Sequence, residues 1–344
     1  MDYFTVGPSQ LYPIVPTTIQ RALKDGITSI SHRDQKYITL HKETVSNLKI
    51  LLSIPSTHSI FFLSSGTEAM ERIIQNTVQL HSHHLVNGSF SDRFYQTAVE
   101  LGKKPTKTEV TYGASFDWNH IQIPSGTELI CATHNETSTG VMVPLRKLYD
   151  LKRSSKTPLL ALDTVSSMPY VDVDYSQVDM TFFSVQKGFG MPAGLGVLIV
   201  SEQALEHSAG SYHSFASLST YANKYQTPET PNVLAIYTLN EVVKDMLKKG
   251  IKSIRQDIDK KSDMIAAYIK SSTTYDYLVT ELHDRSKTIH VLKVKGGSAR
   301  SIKLLELKGF AVSSGYGDMK ADFIRISNFP SHKVKDIKNL LKNM

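Results

Sequence analysis

Short apolar runs alternate with segments of helical spacing between residues 59 and 165, and this alternation constrains the fold more than any other feature of the chain. SIFFL (59–63), HLVNG (84–88), ELICATH (128–134) and PLLALDTV (158–165) read as strands. TEAMERIIQNTVQLHS, SDRFYQTAVELG and PLRKLYDLKRSS place their apolar residues at helical intervals. Strands joined through helices pair in parallel, which implies an α/β layer with its functional groups at the carboxyl ends of the strands.

The pattern changes later in the chain. Helical stretches fill 231–272, followed by TIHVLKVKG, a helix SARSIKLLELKG, the runs FAVSS and FIRIS, and a final helix. The expected organisation is a large domain over 1–240, whose residues 1–15 form an N-terminal arm, and a smaller α+β domain over 241–344. No internal repeat or proline-rich linker is visible, so the two are expected to pack together.

At 344 residues, 40% hydrophobic and 21% charged, the chain can bury such a core. No apolar run reaches the roughly 18 residues of a transmembrane helix. MDYFTVGPSQLYPIVPTTIQ lacks the basic start and apolar stretch of a signal peptide. The one cysteine, Cys131, excludes intramolecular disulfides and points to a reducing, cytoplasmic setting. HSHH at 81–84 lacks the spacing of a zinc finger and reads as a solvated helix end, so no metal is expected. The net charge of +7 suits either nucleic acid or anionic small molecules. The lysines of KVKDIKNLLKNM carry no interleaved aromatic residues and read as a solvated helix face; neither a nucleic-acid nor a membrane partner is expected.

Polar residues collect where the strands end. SIFFL runs into SSGTEAM, where Ser65, Gly66 and Thr67 open a helix whose free N–H groups suit a phosphate, although a serine N-cap alone is the commoner, structural arrangement. PLLALD ends in Asp163, and ELICATH leads to Asn135, Glu136 and Thr137. DMTFF leads to SVQKGFGMPAG and then to LGVLIV, so Lys187 sits at the end of a buried strand, where an unpartnered ammonium is costly. A lysine, a buried acid and a phosphate-binding helix start are the parts that hold pyridoxal 5′-phosphate. The amine forms a Schiff base, the acid keeps the pyridine nitrogen protonated, and the helix start anchors the phosphate. The glycines and Pro192 after the lysine let the backbone pass close to such a ligand.

FTVGPSQLYP, SISHRDQKYITLHKETVSNLKILLSIP, HNETSTG, ALDTVSS, SVQKGFGMPAGLGVLIVSE and YQTPETPN, in this order and spacing, resemble the class V aminotransferases almost end to end. Within that family the phosphoserine aminotransferase branch is most similar. The resemblance implies a fold type I enzyme with a mainly parallel seven-stranded sheet flanked by helices, pyridoxal 5′-phosphate as cofactor, and a homodimer with shared active sites. By position it makes Lys187 the Schiff-base lysine, Asp163 the partner of the pyridine nitrogen, Thr137 a donor to the ring hydroxyl and Phe90 the ring stacked on the cofactor. Gly66, Thr67, Ser166 and Gln186 would surround the phosphate, with Gln226 and Thr227 reaching in from a second subunit. Arg325 would grip the substrate α-carboxylate, and His32 and Arg33 would approach the substrate's side-chain anion.

The substrate stays open at this point. Phosphoserine with 2-oxoglutarate is one expectation, as a step of serine biosynthesis. SSGYGDMKAD (313–322) departs from the phosphoserine branch and is more like serine– and alanine–glyoxylate aminotransferases, and Lys320 there is a candidate for the substrate anion. A cysteine desulfurase would need a reactive, exposed cysteine, whereas Cys131 lies in a strand and reads as core. A non-catalytic binding protein would not keep Lys187, Asp163 and Thr137 together.

Overall fold

The computed structural model describes residues 1–207 and 214–344. Its strands, in chain order, are β1 (Asp2–Phe4), β2 (Ser59–Leu63), β3 (Ser82–Val86), β4 (Thr106–Glu109), β5 (Leu129–Thr133), β6 (Leu159–Asp163), β7 (Met180–Ser184), β8 (Gly196–Val200), β9 (Tyr275–Tyr277), β10 (Ile289–Val294), β11 (Phe310–Ser314) and β12 (Phe323–Ser327). The helices are α1 (Val15–Lys24), α2 (Gln35–Leu52), α3 (Gly66–Thr77), α4 (Ser89–Glu100), α5 (Leu145–Ser155), α6 (Glu202–Glu206), α7 (Phe215–Ala222), α8 (Val233–Lys249), α9 (Ile251–Ser271), α10 (Ser298–Leu307) and α11 (Val334–Asn343).

Seven strands form one sheet in the order β2-β8-β7-β6-β5-β3-β4. Strands β7, β6, β5, β3 and β4 pair in parallel, and β8 runs antiparallel to both β2 and β7. This is the mainly parallel α/β sheet that the alternation implies. The exception at β8 arises because the chain leaves β7 through a turn and doubles back instead of crossing over through a helix. All residues of β5, β6 and β7 are buried, as in a parallel sheet covered on both faces. Alternate residues divide between the two faces. Leu160 and Leu162 pack with Tyr37 and Leu48 of α2 and Leu239 and Val243 of α8, whereas Leu159 and Ala161 pack with Ile73 of α3, Phe94 of α4 and Phe215 of α7. Each buried Leu, Ile, Val or Phe here contributes roughly 1.5–3 kcal/mol. Exposed ion pairs such as Arg93–Glu100 contribute at most about 1 kcal/mol, so these two apolar layers hold the sheet.

HSHH does not end a helix. Helix α3 stops at Thr77, and Ser82–Val86 is a fully buried strand between β4 and β5. Both ring nitrogens of His83 find partners, Thr106 and Thr108 of β4 at 2.8 and 3.0 Å, and His84 Nε2 meets Ser82 at 2.9 Å, while His84 Nδ1 has no hydrogen-bond partner among the described residues.

The second sheet has the order β1-β11-β12-β10-β9. Residues 2–4 supply its parallel edge strand, beside β11; its other pairs are antiparallel. Ile265 and Ile269 of α9 and Ile337 and Leu340 of α11 cover it, while Lys335 and Lys338 of α11 face solvent. The chain passes between the two sheets through α8 and α9, and residue 240 lies inside α8. No helix among the described residues is long and apolar enough to cross a membrane.

Candidate active site

The turn after β7 is held from several sides. Gly188 has no room for a side chain, because a Cβ there would lie 1.8 Å from the Met168 carbonyl oxygen. Phe189 is fully buried and stacks on Phe183 with ring centroids 4.7 Å apart. From the N-terminal segment, the Tyr12 amide donates to the Gly190 carbonyl and the Ser9 amide to the Gln186 carbonyl, at 2.7 and 3.2 Å. Lys187, between these anchors, is 7% exposed.

Among the described residues two lysines are buried, and they differ in their partners. Lys261 donates to the carbonyls of Phe329 and His332 and pairs with Asp257, so its ammonium is satisfied. Lys187 Nζ makes one hydrogen bond among the described residues, to Thr137 Oγ1 at 3.1 Å. Asp163, at the end of β6, is likewise buried, and its carboxylate accepts from the Val165 amide at 2.8 Å. Burial pushes the Asp163 carboxyl up and the Lys187 ammonium down, and each charge partly restores the other. Such a lysine is poised to be a neutral amine, which is the nucleophilic form.

These groups face a cavity of about 140 Å³ at the carboxyl ends of the parallel strands. Of the sequence candidates, Gly66, Thr67, Phe90, Thr137, Asp163, Gln186 and Lys187 line it. Helix α3 points its start at the cavity. Ser65 caps it by accepting from the Glu68 amide, and the Gly66 amide donates to Ser184 Oγ at 2.9 Å. As a first-turn residue, Thr67 has no intrahelical acceptor for its N–H, which leaves it and the helix dipole for an anion. Gln186 Oε1 is buried with no hydrogen-bond partner among the described residues. The arrangement can hold a planar, anionic ligand and attack it with an amine.

Helix α4, which begins beside the same cavity, carries Phe90, whose ring centroid lies 5.2 Å from Lys187 Nζ. Its first turn is occupied: the Glu136 carboxylate accepts from the Phe90 and Ser91 amides at 3.1 and 2.8 Å. Of the two helix starts, only that of α3 is therefore open to a ligand.

Arg325 comes from β12 of the second sheet. Its Nε donates to the Ser314 carbonyl at 2.8 Å and its Nη1 to the Thr137 carbonyl at 3.4 Å, which brings it to the loop that also holds Lys187. Tyr316 bridges the two sides, its ring 5.3 Å from that of Phe90 and 5.4 Å from the Arg325 guanidinium carbon.

The remaining candidates lie elsewhere. The Ser166 hydroxyl does not line the cavity, because it is engaged with the Asn135 side chain and carbonyl, both at 2.7 Å. His32, Arg33, Gln226 and Thr227 form a separate cluster. Arg33 Nη1 donates to Gln226 Oε1 at 3.0 Å and to the Thr227 carbonyl at 2.9 Å, with the guanidinium over the Tyr221 ring. Lys320 is exposed and outside the cavity. Sequence reasoning gave no role to Glu136 or Tyr316. Glu136 was detectable as an acid directly after a buried strand, but Tyr316 becomes visible only once the second sheet packs against the first. No group of His, Cys, Asp or Glu among the described residues is placed to hold a metal ion.

Known proteins share this architecture. The family model described as aminotransferase class-V matches residues 3–340. The chain is 41% identical to the crystallised phosphoserine aminotransferase of Cytophaga hutchinsonii, covering 99% of this chain and 97% of that one with a TM-score of 0.97. It is 27% identical over 364 aligned positions to the phosphoserine aminotransferase of Lactococcus lactis subsp. cremoris, covering 98% and 97% of the two chains. At 22% identity, an alanine–glyoxylate aminotransferase from Nostoc shares the fold with a TM-score of 0.85, covering 100% of this chain and 94% of that one. A family match over nearly the whole chain and a buried, underpartnered lysine at the sheet's carboxyl edge agree, and the chain belongs to the class V aminotransferases.

Proposed function

We propose that this chain is a pyridoxal-phosphate-dependent transaminase that converts phosphoserine and 2-oxoglutarate to 3-phosphohydroxypyruvate and glutamate, and the reverse, as a step of serine biosynthesis. The observation that carries the reading is Lys187, buried with one hydrogen bond beside Asp163, in a chain 41% identical to a protein named phosphoserine aminotransferase. The residues present fit the cofactor. The orphaned Gln186 oxygen, the open start of α3, the Phe90 ring and the lone hydrogen bond of Lys187 are complementary to a phosphorylated pyridine aldehyde.

In this reading Lys187 Nζ holds the cofactor, Asp163 faces the pyridine nitrogen, Thr137 the ring hydroxyl and Phe90 the ring face, while Gly66, Thr67 and Gln186 take the phosphate. When bound, the cofactor supplies an electron sink that acidifies the substrate Cα–H. Lys187 Nζ, whose ammonium burial pushes down to about 8, takes that proton from Cα in its neutral form and returns it on the far side of the transfer. Arg325 receives the substrate α-carboxylate through its free Nη2 edge, a task suited to a planar fork. Ser166 acts through Asn135 rather than on the phosphate itself.

A two-fold homodimer completes the site. His32, Arg33, Gln226 and Thr227 cluster away from the cavity of their own chain, and a partner copy brings them to it. Residues 1–240 then carry the cofactor and 241–344 the carboxylate-binding Arg325. The single, buried cysteine supports a cytoplasmic setting.

The test compares kcat/KM for phosphoserine plus 2-oxoglutarate with that for serine or alanine plus glyoxylate. Phosphoserine is expected to win by at least tenfold. Tyr316, an uncharged ring beside Arg325, favours the second reading, a glyoxylate-linked transaminase; equal or better rates with serine or alanine would select it.

A further inference from the structure

Helix α4 does not cap itself. Its N-cap is Gly88, which has no side chain to offer, and a Cβ at that position would lie 2.4 Å from Glu136 Cγ and 2.5 Å from Ser138 Oγ. The chain thus gives up an ordinary Ser, Asp or Asn cap so that a carboxylate from the loop after β5 can sit beneath the first turn. Glu136 is fully buried and makes no ion pair among the described residues. It is held by the Phe90 and Ser91 amides and the Ser91 hydroxyl on one side, at 3.1, 2.8 and 3.0 Å, and by the Ser138 amide and hydroxyl on the other, at 3.0 and 2.7 Å.

Capping one helix does not require a buried charge, because a surface serine does it without the desolvation cost. The position of Glu136 relative to Lys187 explains the choice. One of the residues whose amides it holds is Phe90, with its ring 5.2 Å from Lys187 Nζ, and the residue that follows it is Thr137, whose hydroxyl accepts from Lys187 at 3.1 Å. The two groups that flank the lysine are thus tied to one carboxylate.

We propose that Glu136 is a positioning residue, which fixes Phe90 and Thr137 on either side of Lys187 and sets a carboxylate behind them. This rests on the reading of Lys187 as the residue that holds the cofactor. The charged groups around Lys187 are Asp163 from β6, Arg325 from β12 and Glu136 from the loop after β5. Asp163 and Glu136 favour a proton at the lysine nitrogen, and Arg325 and burial oppose it.

Glu136→Gln keeps the shape and removes the charge. Its amide must also turn an N–H toward a donor, either at the start of α4 or at Ser138. Pyridoxal 5′-phosphate titrated into the apo form of the full chain reads cofactor affinity, and the pH midpoint of the bound cofactor's absorbance reads the charge at Lys187. In Glu136→Gln the expected Kd is about ten- to a hundredfold weaker and the midpoint lower by roughly one pH unit. Ser138→Ala removes a donor and leaves the charge, so its Kd is expected to weaken by roughly three- to tenfold with the midpoint unmoved. A folded Glu136→Gln protein with wild-type Kd and midpoint would overturn the proposal. If Glu136→Gln does not fold, a wild-type Kd in Ser138→Ala overturns it instead. A wild-type protein that takes up no pyridoxal phosphate contradicts the cofactor reading of Lys187, a result distinct from these.

Discussion

Lys187 Nζ donates to Thr137 Oγ1 across 3.1 Å, which ties the turn after β7 to the loop after β5. This contact joins the two segments in the one place where, among the described residues, the lysine finds a hydrogen-bond partner. Thr137→Val keeps the shape and deletes the acceptor. One neutral hydrogen bond is worth about 0.5–1.5 kcal/mol, so cofactor affinity is expected to fall by up to about tenfold with the circular dichroism spectrum unchanged. An unchanged cofactor Kd would show that Thr137 serves packing alone.

Arg33 makes its hydrogen bonds to the 226–228 segment through Nη1 and Nη2, which leaves the Nε edge for an anion. If the partner's copy of this cluster meets the substrate, Arg33→Ala is expected to lower kcat/KM for phosphoserine by roughly ten- to a hundredfold, the loss of one charge-assisted contact. Cofactor retention should weaken by a smaller factor, because Thr227 loses its support. Steady-state kinetics with phosphoserine and serine side by side check this. An equal loss for both substrates would confine Arg33 to holding the segment.

Burial keeps several histidines neutral. His83, His134 and His332 are pushed down to about 4, and His84 and His290 to about 3, chiefly by desolvation. The unfolded chain binds these protons near pH 6.5 and the folded chain does not, so stability is complete above that value and is lost as pH falls from 6.5 toward 4. At pH 5 each such group costs about 2 kcal/mol. The Tm is expected to drop steeply between pH 7 and pH 5, and to drop less in His83→Gln, where Gln can keep a hydrogen bond to Thr106 or Thr108. A Tm flat across this range would contradict the burial of neutral histidines.

Much of the site was readable in the sequence because it lies at the ends of strands. Asp163, Asn135–Thr137, Ser65–Thr67 and Lys187 are polar residues that directly follow apolar runs, a local signal, and the parallel sheet brings them to one edge. The failures are non-local. HSHH looks solvated until Thr106 and Thr108 of the neighbouring strand satisfy His83. The direction of β8 follows from a turn that doubles back, which apolar periodicity does not report. Nothing near Tyr316 announces its place between Phe90 and Arg325, because the contact depends on how the second sheet packs on the first.

The most direct measurement is the covalent fate of Lys187. The protein is loaded with pyridoxal 5′-phosphate, reduced with borohydride, digested and sequenced by mass spectrometry. The expected result is one modified residue per chain, Lys187, with no comparable label in Lys187→Ala. Label at another lysine, or equal label in Lys187→Ala, would contradict the assignment of Lys187 as the residue that holds the cofactor.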